Sequence, residues 1–299
     1  MPLSVFPKAF IPALCTERTM TPHEWVDLAA DNLDVDGLEF YWGFVPQDHD
    51  EQDRLVEHVR ARGLSMPMMC YSPDFVTPDR AEWRAQLAAQ AAAIETTGRM
   101  GGSYCRVLSG QRRPDVSRAD GVAMVAEAIV DLLPVAERAG VVMILENHYK
   151  DAHWAFPEFA QKMDVFLELL SAVPDHPNFG VNYDPSNALV AGDDPVAMLD
   201  AVKSRLETMH ASDRFLTGGT LDDLKRIDES GGTGYADILQ HGVIGQGAID
   251  YDAVFAILRD IDFHGWISIE DGADPAVGIE HLRLSAEFLR RKMAEYGVG

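Results

Sequence analysis

The sequence is poor in cysteine: Cys15, Cys70 and Cys105 are its only three, far apart and in no CxxC arrangement. Neither a disulfide framework nor a thiolate zinc site is indicated, and a reducing cytosol is the expected compartment. Basic side chains are also scarce, with 25 Lys and Arg against 48 Asp and Glu, a formal charge of −23, and no basic run longer than Arg290-Arg291-Lys292. A protein that grips phosphate backbones needs a cationic surplus, so nucleic acid is set aside as a partner. No stretch of about 18 apolar residues occurs, and Met1 to Lys8 lacks a basic segment followed by an apolar one, so a soluble, unexported protein without membrane contact is expected. There is no GxSxG elbow and no GxxxxGK[ST] loop, and Gly245-Gln246-Gly247 lacks the third glycine and preceding strand of a dinucleotide site. Neither a serine nucleophile nor a nucleotide cofactor is supported.

What the sequence does contain, in its 299 residues, is the composition of a globular protein, 47% hydrophobic and 24% charged. Short β-branched or aromatic runs alternate with longer amphipathic ones. Strands are expected in the Phe6 to Leu14 region and over Gly37 to Trp42, Ser65 to Tyr71, Tyr104 to Ser109, Val141 to His148, Phe179 to Asp184, Leu206 to His210 and Gly265 to Glu270. Helices are expected around His23 to Asn32, Asp50 to Arg62, Pro78 to Thr97, Arg118 to Ala139, Pro157 to Val173, Pro195 to Ser204, Tyr251 to Asp260 and Pro275 to Tyr296. Thr21-Pro22 and Thr77-Pro78 supply cap-then-proline starts, and Gly63, Gly98 and Gly140 sit at expected stops. Strict alternation of this kind predicts an α/β fold, a single (β/α)8 TIM barrel occupying 1–299, with a long insertion after strand seven at about 214–247 placed as a lid or partner surface.

In such a barrel chemistry gathers where strands end. Strands five to eight end in Glu146, Asp184, His210 and Glu270, one per strand, so the four would meet on one side of the mouth. Three carboxylates that close repel unless a cation lies among them, and an oxygen-rich set with one imidazole suits one divalent ion, Mn²⁺ before Co²⁺ or Mg²⁺, better than structural zinc. Side chains two apart on a strand share a side, which places His148 beside Glu146 as the natural general base. A lone strand-end carboxylate commonly bonds a neighbouring backbone, and a lone histidine commonly just packs the mouth; the argument rests on joint occurrence. Substrate contacts are drawn from weaker candidates: Glu39, which could instead pair with a neighbouring strand's Arg or Lys; Arg106, otherwise a counterion for buried acids; Lys150; and Asn187, which could bond a sugar hydroxyl or cap the Asp184-Pro185-Ser186 turn. Trp42, Trp154 and Phe215 could wall a ring-shaped substrate.

At these residues the sequence resembles the xylose-isomerase-like barrels, the sugar isomerase and epimerase superfamily, over essentially its whole length. In that family a Glu, Asp, His and Glu on strands five to eight bind one divalent metal, which maps the ligands onto Glu146, Asp184, His210 and Glu270. The finer texture is ENHYKD at Glu146 to Asp151, NYDPSNA at Asn182 to Ala188, MHASDR at Met209 to Arg214, HGVIGQG at His241 to Gly247 and WISIEDG at Trp266 to Gly272. It resembles the catalytic large subunits of bacterial C-glycoside deglycosidases. That likeness implies a small β-rich partner subunit, cleavage of the carbon-carbon bond between a 3-oxo-glucosyl ring and an aglycone, and His148 as base. Ketose 3-epimerases instead use their two metal-bound Glu residues as acid and base, here Glu146 and Glu270, and carry a His where this chain has Asn187.

The shared chemistry is proton abstraction beside a keto-sugar carbonyl stabilised by a Lewis acid. Expulsion of a β-substituent then gives C-deglycosylation, the leading expectation; reprotonation gives a ketose or inosose isomerase or 3-epimerase, the alternative. Multi-zinc DNA-repair endonucleases share the fold but need more strand-end histidines and a basic face. A non-catalytic subunit that kept the barrel is the third class.

Overall fold

The computed structural model describes residues 1–151, 153–220, 222–223, 238–272 and 274–298. Nine parallel segments form one sheet: β1 (Leu3–Val5), β2 (Gly37–Leu38), β3 (Phe40–Tyr41), β4 (Met68–Cys70), β5 (Tyr104–Val107), β6 (Val142–Glu146), β7 (Phe179–Tyr183), β8 (Leu206–Ala211) and β11 (Trp266–Ile269). Before β11 comes an antiparallel hairpin of β9 (Arg214–Leu216) and β10 (Leu239–His241). The sheet order β2-β1-β11-β8-β7-β6-β5-β4-β3 begins and ends on two halves of one strand, divided only at Glu39. The sheet thus closes on itself as the expected α/β barrel, with helices α1 (Pro22–Asn32), α2 (His49–Ala61), α3 (Arg80–Arg99), α4 (Arg118–Ala139), α5 (Met163–Ala172), α6 (Pro185–Val190), α7 (Pro195–Val202), α8 (Tyr251–Asp260) and α9 (Gly278–Tyr296) in the connections.

The period of two along each strand separates two interiors. Val5, Leu38, Phe40, Met69, Cys105, Val107, Met143, Leu145, Val181, Tyr183, Met209, Ala211, Ile267 and Ile269 belong to the apolar core beneath the helices. The residues between them, among them Glu39, Cys70, Arg106, Glu146, Asn182, Thr208, His210 and Ser268, point into the barrel and are buried. The inner layer is therefore largely polar, with Met68 and Ile144 among it, and hydrogen bonds join many of its polar groups. Thr208 Oγ1 donates to Asn182 Oδ1 at 2.8 Å as one such pair. The outer layer carries the hydrophobic stabilisation; each fully buried ring or branched chain, such as Trp25 or Phe166, contributes about 1.5–3 kcal/mol.

Four sequence expectations are corrected. The first strand is Leu3–Val5 and not the Phe6 to Leu14 region, where Lys8–Phe10 and Pro12–Thr16 form helical turns; Pro7 and Pro12 lack the N–H a ladder needs. Helix α3 is capped by Asp79, whose carboxylate accepts from the Ala81 and Glu82 amides, and not by Thr77. Gly98 lies inside α3, where a Cβ would strike the Ala139 carbonyl of α4, so its smallness serves helix contact and not a stop. Helix α5 begins at Met163, because residues 157–159 spend backbone groups elsewhere: Glu158 N donates to Tyr149 O at 2.9 Å and Phe159 N to Gly110 O at 2.7 Å. The Thr21 cap stands, as a full capping box with Glu24.

Of the expected insertion at 214–247, residues 221 and 224–237 lie outside the described residues. Its ends pair from Arg214 against His241 to Leu216 against Leu239. The Gly245-Gln246-Gly247 segment folds around Asp213, whose carboxylate accepts from the amides of Gly245 (2.9 Å), Gly247 (3.0 Å) and Ile249 (3.2 Å). A Cβ on Gly247 would collide with that carboxylate, which accounts for the glycine without any nucleotide.

Candidate metal centre

Four strands deliver four ligand-type side chains to the mouth. Glu146 is the last residue of β6, Asp184 follows β7, His210 lies in β8 and Glu270 follows β11. One donor atom from each lies within 4.8 Å of those of the other three, and all four residues are buried. Local structure orients them. Asp184 is the N-cap of α6, with Pro185 at the first helical position; its Oδ1 accepts from Asn187 N at 2.9 Å and from Ser212 Oγ at 2.6 Å. Glu270 Oε1 accepts from Lys8 Nζ at 2.9 Å. Glu146 Oε2 accepts from Arg106 Nη1 at 2.8 Å, and its Oε1 accepts from Asn187 Nδ2 at 3.1 Å.

His210 is held from both sides. Its Nε2 is 3.0 Å from Glu39 Oε1, while its Nδ1 is 3.1 Å from Glu146 Oε1 and 2.8 Å from Glu270 Oε2. Glu39 in turn accepts from Ser268 Oγ at 2.5 Å and Cys70 Sγ at 2.6 Å. Burial opposes charge on His210, but Glu39, Glu146 and Glu270 outweigh it and hold the imidazolium well above its usual range. Burial likewise raises Glu146, yet His210 and Arg106 prevail and bring it down to about 2. Asp184 goes the other way, up to about 6, through burial first and then the neighbouring Glu270 and Glu146 charges.

These residues fit a divalent cation. Glu270 Oε2 is buried without a hydrogen bond despite its proximity to His210. A carboxylate on one ring nitrogen of a histidine, leaving the other nitrogen toward further carboxylates, is the supporting arrangement of metal-binding histidines. The upward push on Asp184 comes from burial first and then from the Glu270 and Glu146 charges, and a cation among the three acids would oppose both. Three oxygens and one nitrogen make a donor set for a hard or borderline ion.

The remaining sequence candidates divide. Arg106 is spent on Glu146, with its other nitrogens on Ser72 Oγ (3.0 Å) and Tyr71 O (3.4 Å), the counterion placement. Asn187 touches Glu146 directly. Glu39 pairs with His210 and, among the described residues, forms no ion pair with an Arg or Lys; it is fully buried on the far side of that ring from Glu146 and Glu270. Lys150 is half-buried in the loop after β6. His148 is not one of the four clustered donors. The strand ends at Glu146, and His148 N bends back to the Glu146 carbonyl at 3.0 Å, so strand alternation does not place the ring. Its Nδ1 instead faces Glu158 Oε2 at 3.7 Å, and it stacks on Tyr149 with centroids 5.0 Å apart. Phe215 packs against Gly242 within the hairpin and is 42% exposed.

Sequence reasoning missed four residues. Lys8 was hidden by the misplaced first strand and Glu158 by the overlong helix. Asn147 exchanges two hydrogen bonds with the Asp184 backbone, at 2.7 and 2.8 Å, stapling the ends of β6 and β7. Ser212, two past His210, carried its signal in strand alternation alone.

The family model described as xylose isomerase-like TIM barrel matches residues 26–292. Among curated proteins, the inosose dehydratase of Bacillus thuringiensis (strain Al Hakam) is 24% identical over 172 residues, covering 56% of this chain and 53% of its own. This chain thus spans about half the length of the curated relatives it matches. Among solved structures, the IOLI protein with a binding zinc atom superposes with a TM-score of 0.76 at 16% identity, covering 99% of each chain. The 3-keto-D-glucoside 4-epimerase from E. coli gives 0.66 at 18% identity, covering 97% of this chain and 99% of that one. Likeness at such identities concerns the fold.

Proposed function

The chain belongs to the xylose isomerase-like TIM barrel family, and from that membership and the mouth geometry we propose a divalent-metal-dependent enzyme that removes a proton beside the carbonyl of a keto-sugar or inosose. The observation that carries the reading is the convergence of Glu146, Asp184, His210 and Glu270 donor atoms within 4.8 Å. Those four would hold the ion, with Mn²⁺ the first candidate and Co²⁺ or Mg²⁺ next, since carboxylates suit Mg²⁺ and Mn²⁺ while the imidazole suits a transition ion. When bound, such an ion supplies Lewis-acid stabilisation of the charge that develops on the keto oxygen. The other tasks belong to the chain. Arg106 and Lys8 keep Glu146 and Glu270 ionised, Asn187 presents an amide beside Glu146, and His148 takes the proton. The inosose dehydratases among the relatives support a polyol ring bearing a keto group as substrate class.

The test uses deuterium oxide. The Mn²⁺-loaded protein is incubated with an inosose or a ketose, and NMR follows deuterium entering the carbon beside the carbonyl. Incorporation is expected, with His148→Gln slowing it by about 10²–10⁴. Absence of exchange with every keto-sugar tried would falsify the reading.

A second, finer reading is β-elimination on a 3-oxo-C-glucoside, releasing the aglycone with a small β-rich subunit as partner. What favours elimination over epimerisation is the environment of the two glutamates. An epimerising acid/base pair needs one of them protonated, and each is instead bonded to a cation, leaving His148 as a single base. Aglycone release from a 3-oxo-C-glucoside, with and without a candidate small subunit, separates the two; free-ketose interconversion without aglycone release sinks the finer one.

A further inference from the structure

We propose that Glu158 is the positioning residue of His148, holding the ring so that Nε2 meets the substrate; this rests on the reading of His148 as the base. Two buried polar atoms in the structure lack any hydrogen-bond partner and face each other: His148 Nδ1 and Glu158 Oε2, 3.7 Å apart. Each is the group the other needs. A shift of about 1 Å closes the gap to hydrogen-bond length.

The carboxylate is built to stay where it is. Glu158 is fully buried, and its Oε1 accepts from Ser109 N at 2.7 Å, from Gly110 N at 3.3 Å and from the Ser109 hydroxyl. Ser109 Oγ is anchored in turn by the Ala160 amide at 3.0 Å. The backbone on both sides of Glu158 is pinned by the Tyr149 and Gly110 carbonyls. With Oε1 held by these donors, Oε2 has one direction to point, toward the imidazole. Burying a carboxylate is unfavourable, and a loop anchor alone would not require the second oxygen to be aimed at a histidine. An Nδ1–H donated to Glu158 selects the neutral tautomer whose Nε2 lone pair, on the far side of the ring, can accept a proton. The base-orienting carboxylate of a catalytic triad acts in the same way.

The decisive variant is Glu158→Gln. Its carbonyl keeps the Ser109 contacts while its NH₂ presents a donor to Nδ1, so it inverts the tautomer with little change of shape. ¹⁵N-histidine NMR of the full chain loaded with Mg²⁺, with His148→Gln assigning the resonance, is expected to show Nδ1–H in the wild type and Nε2–H in Glu158→Gln. In the deuterium assay Glu158→Gln is expected to lower kcat by about 10²–10⁴ with KM changed by less than about threefold. Glu158→Asp, one methylene shorter, is expected to keep the Nδ1–H tautomer and recover part of kcat. The same tautomer in wild type and Glu158→Gln, or a kcat of Glu158→Gln within about twofold of wild type, overturns the proposal; should Glu158→Gln not fold, an Nε2–H tautomer in the wild type or in Glu158→Asp overturns it. If the wild type exchanges no proton at all, the base reading fails by itself, and the NMR arm still decides whether Glu158 sets the ring.

Discussion

Glu39 and Arg106 show how single side chains support a centre they do not complete. Both oxygens of Glu39 lie beneath His210, at 3.0 and 3.1 Å from Nε2. Removing that charge while keeping the shape should loosen the orientation of the imidazole. Calorimetric titration of Glu39→Gln with Mn²⁺ is therefore expected to show an affinity 10–100-fold weaker, roughly the usual cost of losing such a partner; wild-type affinity would contradict the support role. Arg106 stands in a buried pair with Glu146. Arg106→Met leaves that carboxylate without its cation, and urea unfolding of metal-free protein should register a loss of about 3 kcal/mol. Saturating Mn²⁺ should recover part of it; an unchanged midpoint in both conditions would argue that the pair contributes nothing. At this scale the four clustered donors were legible because each closes a strand of clear alternation. The partners of those donors were not. Lys8 reaches Glu270 across 262 residues of sequence, and nothing local to Lys8 marks it.

Helix α4 and strand β1 illustrate what holds the frame. Gly121, in the first turn of α4, lies against the Phe159 ring, and a Cβ there would overlap it. Gly121→Ala should cost about 1–3 kcal/mol by thermal unfolding through displacement of the 157–162 segment. A fully retained melting temperature would show that the ring gives way freely. Asp36 ties two elements together, accepting from Leu3 N of β1 at 2.7 Å and pairing with Arg290 of α9 at 3.0 Å. Burial raises its carboxyl, but Arg290 and the Leu3 amide prevail and lower it below the ordinary 3.8. A depressed carboxyl stabilises the fold above its unfolded value and loses that contribution as the pH falls through the folded value. Asp36→Asn should accordingly be less stable by about 1 kcal/mol at neutral pH, the pair being part-exposed and screened. The difference should shrink below about pH 4; a gap that widens in acid would reverse the sign of the argument. Helices α4 and α8 were legible to the residue because their apolar spacing and caps agree. The start of α5 was not, since residues 157–162 carry helix-compatible side chains while their backbone pairs with the loop after β5.

The whole chain carries a formal charge of −23, and at the barrel mouth three acids, Glu146, Asp184 and Glu270, gather with His210 in one buried cluster, with Glu39 on the other side of that histidine. An ion bound only by the folded chain stabilises it by mass action, by about 2.7 kcal/mol at a hundred times Kd. Stripping the protein with EDTA should therefore lower its melting temperature, and Mn²⁺ should restore it. No shift on either step would count against an ion in the cluster. Among the described residues no helix is long and apolar enough to cross a membrane.

The sequence by itself determined the barrel and the residues that crown it, because both follow from short-range periodicity. A period of two puts apolar residues outward and Glu146, His210 and Ser268 inward, and eight strands alternating with eight helices match the count of a closed barrel. Only the tertiary structure decided what each inward side chain meets. Glu39 finds His210 across 171 residues because closure brings the two halves of its divided strand against β1 and β4 and its side chain into the shared interior. His148 faces Glu158 because the chain turns sharply after Glu146 and a non-helical segment returns beside it. Periodicity is local and survives in one dimension; partner choice in a polar interior depends on distances between strands far apart in the chain, which closure alone sets.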